Sequence, residues 1–450
     1  MTSITVSAAE LLLHRLQALD VAYIFINSGT DYPPVIEAWA KMRATGQQVP
    51  ELVICPHENA AIGMAHGYYL GSGKVQAVMV HTNVGLANAA CGVINLANSN
   101  IPVLIFGGRT PISEHSHFGC RNTPIGYGQE MRDQAALIRE SVKWDFELRI
   151  ADQVGEHVDR AWAIARSLPK GPVYLSLPRE PLCETFTIDE QALYASPTQQ
   201  PVRYAPTRAD IASAADAIAN ARQPVIFAQR GARTSGGFAR LNTLVKEWAI
   251  PVVEYWGTEV TLSSDNPMLA GSDPKGWLSA ADVIIIIDSQ APWIIEESRC
   301  NESCKVIQIG PDPLFSRYPV RGYRADINLA GETDEVFELL QEALQPLVAA
   351  KQQQVAEREK HVLSLIQHAK DQREALLHAG QKGAIGKPWL SYCLGQLANQ
   401  HQGKIVSELT TMPQFAGLTQ ADSYYQEALA GGLGEALPIA LGLQLARRGE

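Results

Sequence analysis

Twice in close succession, a short apolar run ends on polar residues and opens into a helix of small side chains. The first is Ile54-Cys55-Pro56-His57-Glu58-Asn59-Ala60-Ala61, the second Val78-Met79-Val80-His81-Thr82-Asn83-Val84-Gly85. In a parallel α/β sheet this pattern places Glu58 and His81 at the carboxyl ends of two strands, where such sheets bind ligands. Glu58 stands at a helix start beside Pro56, Ala60 and Ile62, an odd place for a carboxylate without a task. The same alternation runs along the chain. Strands are expected at 23–26, 53–55, 75–80, 103–106 and 171–178, with helices at about 60–70 and 86–97 between them. A second series is expected at 224–228, 251–254, 283–287 and 306–309. Residues 283–287 are apolar throughout, as in a strand covered on both faces. Strands alternating with helices predict α/β architecture with doubly wound parallel sheets.

Length and composition set the bounds. A chain of 450 residues holds two or three domains, at roughly 100–200 residues each. With 46% hydrophobic and 19% charged residues, it has the composition of a soluble globular protein. A formal net charge of −10 and the lack of a basic stretch argue against a nucleic-acid partner. The sequence shows neither a basic-then-apolar leader pattern nor an apolar run long enough for a bilayer, so no membrane association is expected. Seven scattered cysteines, an odd number, suit reduced thiols and a cytoplasmic location. Cys300 and Cys304 have no second pair or histidine cluster beside them, so no metal site is assigned to them.

Ser7-Ala8-Ala9-Glu10 reads as a capping box opening the first helix. Asn27-Ser28-Gly29-Thr30-Asp31 reads as a turn in which Gly29 is free to take positive φ. A first domain is expected over 1–185 and a proline-bearing linker around 196–207. A central domain follows over 205–345, then a polar helical linker over 346–384. Residues 385–450 hold a helix, a strand at 404–407, a loop and Gly431-Gly432-Leu433-Gly434 before an apolar helix. That is thin for an independent sheet domain, so it reads as the N-terminal part of a larger one.

Four stretches in order resemble the thiamine-diphosphate-dependent decarboxylase and acetohydroxyacid synthase family, nearest in motifs to the benzoylformate decarboxylases. The first is Glu58 in Pro56-His57-Glu58-Asn59-Ala60, followed by Gly67-Tyr68. The second is His81 with Gly85-Leu86-Ala87-Asn88, similar to a Gly-x-Gly-Asn run. The third is Gln129-Glu130 with Asp133. The fourth is Ser407-Glu408-Leu409-Thr410-Thr411 with Gly431-Gly432-Leu433-Gly434-Glu435-Ala436-Leu437-Pro438. The resemblance implies a pyrimidine-binding domain, a central Rossmann-like domain and a diphosphate-binding domain, the last incomplete here. It implies thiamine diphosphate and Mg²⁺ as cofactors. The family's Gly-Asp-Gly and Asn-pair metal motif is not met by Leu445, so the Mg²⁺ ligands are expected beyond residue 450 and none is assigned within the chain.

On this resemblance Glu58 shares a proton with the pyrimidine ring, a role that burial among apolar neighbours favours. Leu433 wedges the cofactor into a V, with Gly432 beside it. Thr410 and Thr411 offer hydroxyls and amides to the diphosphate. Asn88 belongs to the cofactor-binding run. His81 is the candidate general acid/base, because histidine alone titrates near pH 7 unperturbed. Asn83 is placed to hydrogen-bond the substrate, and Gln129 is a further catalytic candidate. His57, His115 and His117 are weaker candidates. Asn27-Ser28-Gly29-Thr30 replaces the family's usual Pro-Gly turn, leaving Asp31, one position away, open as a substrate-side carboxylate.

The implied activity is decarboxylation of a 2-oxo acid, with or without carboligation of the acetolactate synthase kind. The alternative is a catalytically incomplete subunit or truncated chain, completed by a second chain or kept for binding. The family's architecture implies a homodimer or homotetramer. FAD in the central domain has no support of its own, since Gln229-Arg230-Gly231-Ala232 lacks the full G-x-G-x-x-G.

Overall fold

Ser7 and Glu10 close the chain's first helix as a reciprocal pair. The Ser7 hydroxyl accepts from the Glu10 amide at 3.1 Å, and the Glu10 carboxylate accepts from the Ser7 amide at 2.8 Å. The computed structural model describes residues 3–383, 385–409, 411–427 and 429–448. The elements begin with β1 (Ser3–Ser7), α1 (Ala8–Ala18), β2 (Tyr23–Asn27), α2 (Pro33–Ala44), β3 (Glu51–Ile54), α3 (Glu58–Ser72), β4 (Ala77–Val80), α4 (Thr82–Asn98) and β5 (Leu104–Arg109). A long irregular stretch holding α5 (Ile125–Gly128) precedes β6 (Asp145–Glu147), α6 (Val154–Arg166), β7 (Val173–Pro178), α7 (Arg179–Cys183) and β8 (Thr185–Asp189). Then come α8 (Arg208–Asn220), β9 (Pro224–Ala228), α9 (Ser235–Glu247), β10 (Val252–Val253), β11 (Leu269–Gly271), α10 (Lys275–Leu278), β12 (Val283–Ile287), β13 (Lys305–Gly310), β14 (Ile327–Ala330) and α11 (Thr333–Leu344). The chain continues through α12 (Val348–Lys382), α13 (Lys387–His401), β15 (Ile405–Ser407), α14 (Pro413–Ala416), β16 (Tyr424–Gln426) and α15 (Ala436–Ala446).

The chain divides into two compact units, Met1–Val202 with Glu427–Glu450, and Arg203–Gln426. In the first unit six parallel strands run in the order β3-β2-β4-β5-β7-β6. Alternate side chains of β4 feed two cores: Ala77 and Met79 join Leu12, Leu16, Val154 and Val158 on one face. Val78 and Val80 join Ile62, Ala65, Leu86 and Val93 on the other. Burial on both faces is why these strands read as near-continuous apolar runs. Strands β1 and β8 form a separate antiparallel pair in the same unit.

The second unit has six parallel strands in the order β11-β10-β9-β12-β13-β14, the dinucleotide-fold order 3-2-1-4-5-6. The loop Gln229-Arg230-Gly231-Ala232 leaves its sheet at the switch point between β9 and β12. There Arg230 is buried against Asp288, Nε to Oδ2 at 2.7 Å. The α12 helix spans the whole polar stretch and buries Arg358, Val362 and Ile366 at four-residue spacing.

Residues 385–450, read from sequence as the N-terminal part of a further domain, have elements in both units. Helix α13 and the two-stranded parallel pair β15–β16 belong to the second unit, and α15 to the first. Glycines explain the second assignment. A Cβ on Gly67 would stand 1.9 Å from the Ile439 carbonyl oxygen, and one on Gly442 2.0 Å from that of Met64. Helices α3 and α15 therefore pack backbone to backbone, and two strands alone could not bury that apolar helix. Among the described residues, no helix is long and apolar enough to cross a membrane.

Candidate active site

In the first sheet, β3 is added to one side of β2 and β4 to the other. The switch point therefore falls between β2 and β4, and the loops leaving their carboxyl ends face the crevice where such sheets bind ligands. Asp31 follows β2 and His81 follows β4. Asp31 is buried, and its Oδ1 lies 2.6 Å from His81 Nδ1. Its Oδ2 accepts from the Thr82 amide at 3.2 Å. An ionised carboxylate only accepts, so Nδ1 carries the ring proton and Nε2 presents the lone pair. The Gln129 amide nitrogen meets that Nε2 at 2.9 Å. The hydrogen bond that His81 donates to Asp31 raises the His81 pKa above its ordinary value, against partial burial, and the charges of Asp31 and Glu58 add to the rise.

The local backbone is built for this pair. Thr82 has φ 45°, rare for a β-branched residue and a strain that clusters at functional turns. Gly29 does not take the positive φ open to it in its turn. It is needed for space instead, because a Cβ there would lie 2.2 Å from His81 Nδ1. Gly108, inside β5, makes room in the same way: a Cβ would lie 1.5 Å from Asp31 Oδ2. Its neighbour Gly107 yields to the Tyr174 hydroxyl, which accepts from Gln134 at 2.9 Å.

Gln129 reaches His81 from the stretch between β5 and β6, and Glu130 fixes that stretch. Its carboxylate accepts from Arg109 Nη2 and Thr110 Oγ1, both at 2.8 Å, from the Met131 amide at 3.0 Å, and from Arg121. Burial works against its ionisation, but the Arg109 and Thr110 bonds hold its pKa below the ordinary carboxylate value. Asp133, the third member of the run, pairs with Arg139 on the surface. The oxygens buried here without a hydrogen-bond partner include Asn83 Oδ1 in the first turn of α4 and Gln129 Oε1.

Glu58 is the first residue of α3 and is buried, at 7% exposure. Asn88, one face of α4 away, donates to its Oε2 at 3.0 Å. Gly85 lets α4 approach, since a Cβ there would sit 3.1 Å from Glu58 Oε1. His57 Nδ1 accepts from the Asn59 amide at 3.1 Å and caps α3. His115 and His117 are exposed.

The turn before α15 docks on α4. Asn95 donates to Gly432 O at 2.8 Å and to Glu435 Oε2 at 2.6 Å, and accepts from the Gly432 amide at 3.2 Å. Gly431 and Gly434 take positive φ around it, and Leu433 between them is 59% exposed. In the second unit, the Thr411 amide donates to Ser407 Oγ at 3.2 Å. Thr411 lines a cavity of about 330 Å³ with Trp256, Leu409, Gln414 and Tyr424. Thr410 lies outside the described residues. Among the described residues, no cluster of three or more His, Cys, Asp or Glu is placed to hold a metal ion.

The structure thus brings Glu58 and Asn88 together, and His81 and Gln129 together, within one unit. The sequence reading left Asp31 open and missed Asn95 altogether. A usable signal was present for Asp31: two glycines inside a strand, Gly107-Gly108, mark a close approach by something else.

Comparison with known proteins identifies the family. Residues 6–137 match the N-terminal TPP-binding domain of thiamine pyrophosphate enzymes, and residues 211–340 match the central domain of the same enzymes. A probable 2-ketoarginine decarboxylase of Pseudomonas aeruginosa is 26% identical over 295 residues, covering 64% of this chain and 50% of that protein. The acetolactate synthase large subunit of Haemophilus influenzae is 25% identical over 353 residues, covering 74% of this chain and 57% of that protein. The chain thus spans little more than half the length of these curated relatives. Among solved structures, the thiamine diphosphate-dependent 4-hydroxybenzoylformate decarboxylase of Rhodococcus jostii superposes with a TM-score of 0.74 at 19% identity, over 98% of this chain and 79% of that one. The benzoylformate decarboxylase of Polynucleobacter necessarius gives 0.70 at 18% identity, over 98% and 78%. With the parallel sheets, their order and two successive domain matches in register, the chain belongs to the thiamine pyrophosphate enzyme family.

Proposed function

We propose that the chain works as a thiamine-diphosphate-dependent 2-oxo acid decarboxylase or carboligase, with Glu58 facing the pyrimidine ring. The observation that carries this reading is a buried carboxylate at a helix start, beside a histidine held on both nitrogens. The unpartnered oxygens of Asn83 and Gln129 fit a ligand with N–H or O–H groups to offer. When bound, thiamine diphosphate would supply the nucleophilic carbon and the electron sink that decarboxylation of a 2-oxo acid needs. Glu58 would hold a proton between its carboxyl and the pyrimidine nitrogen, while Asn88 fixes the rotamer of that carboxyl. His81, kept protonated towards higher pH by Asp31, would move a proton at Nε2, the nitrogen that Gln129 now touches. Asn83 would orient the substrate. Leu433, exposed on a glycine-flanked turn, would pack against the cofactor rings, with Gly432 held by Asn95.

Thr411, and Thr410 with it, are proposed for the diphosphate. The described residues around the Thr411 cavity offer hydroxyls and amides but no Lys or Arg. A diphosphate bound there needs a cation, which supports Mg²⁺ as co-ligand. Exposed apolar side chains on the first unit, Ile54 at 85% and Leu437 at 72%, support a homodimer or dimer of dimers. Gln129 keeps carboligation alongside simple decarboxylation, and the matches to enzyme domains do not favour a purely binding role.

Calorimetry of the 450-residue chain with thiamine diphosphate and Mg²⁺ tests this. Saturable, magnesium-dependent binding is expected, weakened on the order of tenfold or more in Glu58→Ala, as for loss of a hydrogen bond to a charged group. A panel of 2-oxo acids, scored for CO₂ and for carbon–carbon bond formation, then separates the two chemistries. Binding that ignores Glu58→Ala would sink the assignment.

A further inference from the structure

The stretch 110–133, whose only helix is the short α5, carries Gln129 to His81. A loop of this length inside an α/β domain is uncommon without a function. Beyond the contacts of Gln129, Glu130 and Asp133, two anchors come from α7. The Glu180 carboxylate accepts from the Ile112 amide at 3.0 Å, the Ser113 amide at 2.8 Å and the Ser113 hydroxyl at 2.6 Å. Arg179 donates from Nε to Gly119 O at 2.7 Å and from Nη2 to Cys120 O at 2.6 Å, with Asn122 Oδ1 at 3.5 Å. Its remaining arm, Nη1, donates to Thr30 O at 3.1 Å. Arg179 is 9% exposed and Glu180 is 5% exposed.

Thr30 precedes Asp31. The two ring nitrogens of His81 are therefore held by residues from two segments, and Arg179 is bonded to both. We propose that Arg179 is a positioning residue that ties the 110–133 loop to the Asp31 segment and so sets both partners of His81, with Glu180 latching the loop alone. The guanidinium suits this task because it is a rigid planar fork of five donors and can serve carbonyls in different directions at once. An ammonium cannot. Gly119, at φ 89°, lets the loop pass close over α7, where a Cβ would lie 3.2 Å from Cys183 Sγ. The inference rests on His81 as the acid/base group of the proposed chemistry, but its test needs neither cofactor nor turnover.

The test compares Arg179→Lys and Glu180→Gln in the full 450-residue chain. Limited proteolysis reads the loop, NMR titration of labelled histidine reads His81, and thermal melting reads the fold. The charged groups facing His81 are Asp31 after β2 and Glu58 at the start of α3, with neutral Gln129 from the loop. Both variants are expected to be cut in 110–133 on the order of tenfold faster, the factor carried by one charged hydrogen bond. Only Arg179→Lys is expected to lower the His81 titration midpoint towards that of free imidazole. Equal shifts of His81 in both variants, or none in either, would overturn the proposal. So would cleavage that rises only in step with a lost melting transition, which would make Arg179 an ordinary scaffold residue. Failure of the parent chain to bind thiamine diphosphate, with these changes present in the variants, would count against the proposed function alone.

Discussion

Asp31 Oδ1 stands 2.6 Å from His81 Nδ1, in a space kept open by Gly29 on one side and Gly108 on the other. Fifty positions apart in sequence, the two are neighbours because their strands flank the switch point. The pair fixes which ring nitrogen is protonated, and so which one is presented to a ligand.

That pairing has a pH signature. The folded-state pKa of His81 is raised, chiefly by the Asp31 hydrogen bond. Its stabilising contribution is present below the ordinary imidazole pKa and is lost as pH rises through the raised folded value. Melting temperatures followed from acid to alkaline pH should fall across that window. Asp31→Asn should flatten the fall and bring the His81 NMR midpoint down. An unchanged midpoint would show that Asp31 does not govern the ring.

Glu58→Gln keeps the size of the side chain and the approach of Asn88 but removes the acid. If Glu58 exchanges a proton with the cofactor, turnover should drop about 10²–10⁴-fold, the usual range for a lost acid–base group, with the melting temperature little altered. Steady-state rates beside thermal melts check this. A loss under threefold would move the role elsewhere.

The α3–α15 contact should tolerate no added methyl. Gly67→Ala sets a Cβ against the Ile439 carbonyl, and Gly442→Ala sets one against that of Met64. Backbone on both sides cannot give way as a side chain would. Each substitution should cost at least about 1–3 kcal/mol, the range for overpacking. Hydrogen exchange of α15 and thermal melting measure it. Gly128→Ala, in open space, is the control and should melt like the parent.

Glu254, buried in the second unit, accepts from the Thr261 and Leu262 amides at 2.8 and 3.0 Å. Burial nevertheless raises its pKa to about 7. The folded state then holds a proton that the unfolded chain has released, so stability falls as pH rises from the ordinary carboxylate value to about 7. A shift of that size corresponds to at most about 3 kcal/mol. Glu254→Gln should remove the slope, as read by denaturant unfolding at pH 5 and 8. A slope that survives the substitution would place its origin in other groups.

Much of this molecule could be read in one dimension. Strands β9 and β12 and helix α12 fall at the residues expected, because each is set by a local pattern of apolar and polar side chains. Glu58 and His81 were found because a polar residue at the end of an apolar run is visible without a fold. The short strands β6, β11 and β14 were not anticipated, since three or four residues carry too little periodicity to be told from a loop. Gly29 was read for its backbone freedom: sequence shows that a position lacks a Cβ, but not whether backbone angle or a neighbouring ring demands it.

The sequence by itself determined the class of architecture, parallel sheets wrapped by helices, and the two strand ends that bear Glu58 and His81. Those depend on interactions between residues close in the chain. Only the tertiary structure decided that Asp31 and Gln129 hold the two nitrogens of His81, that Asn88 meets Glu58, and that α15 lies on α3. Each of these depends on strand order and on the closeness that glycines permit between distant segments. Neither is written into any local run of residues.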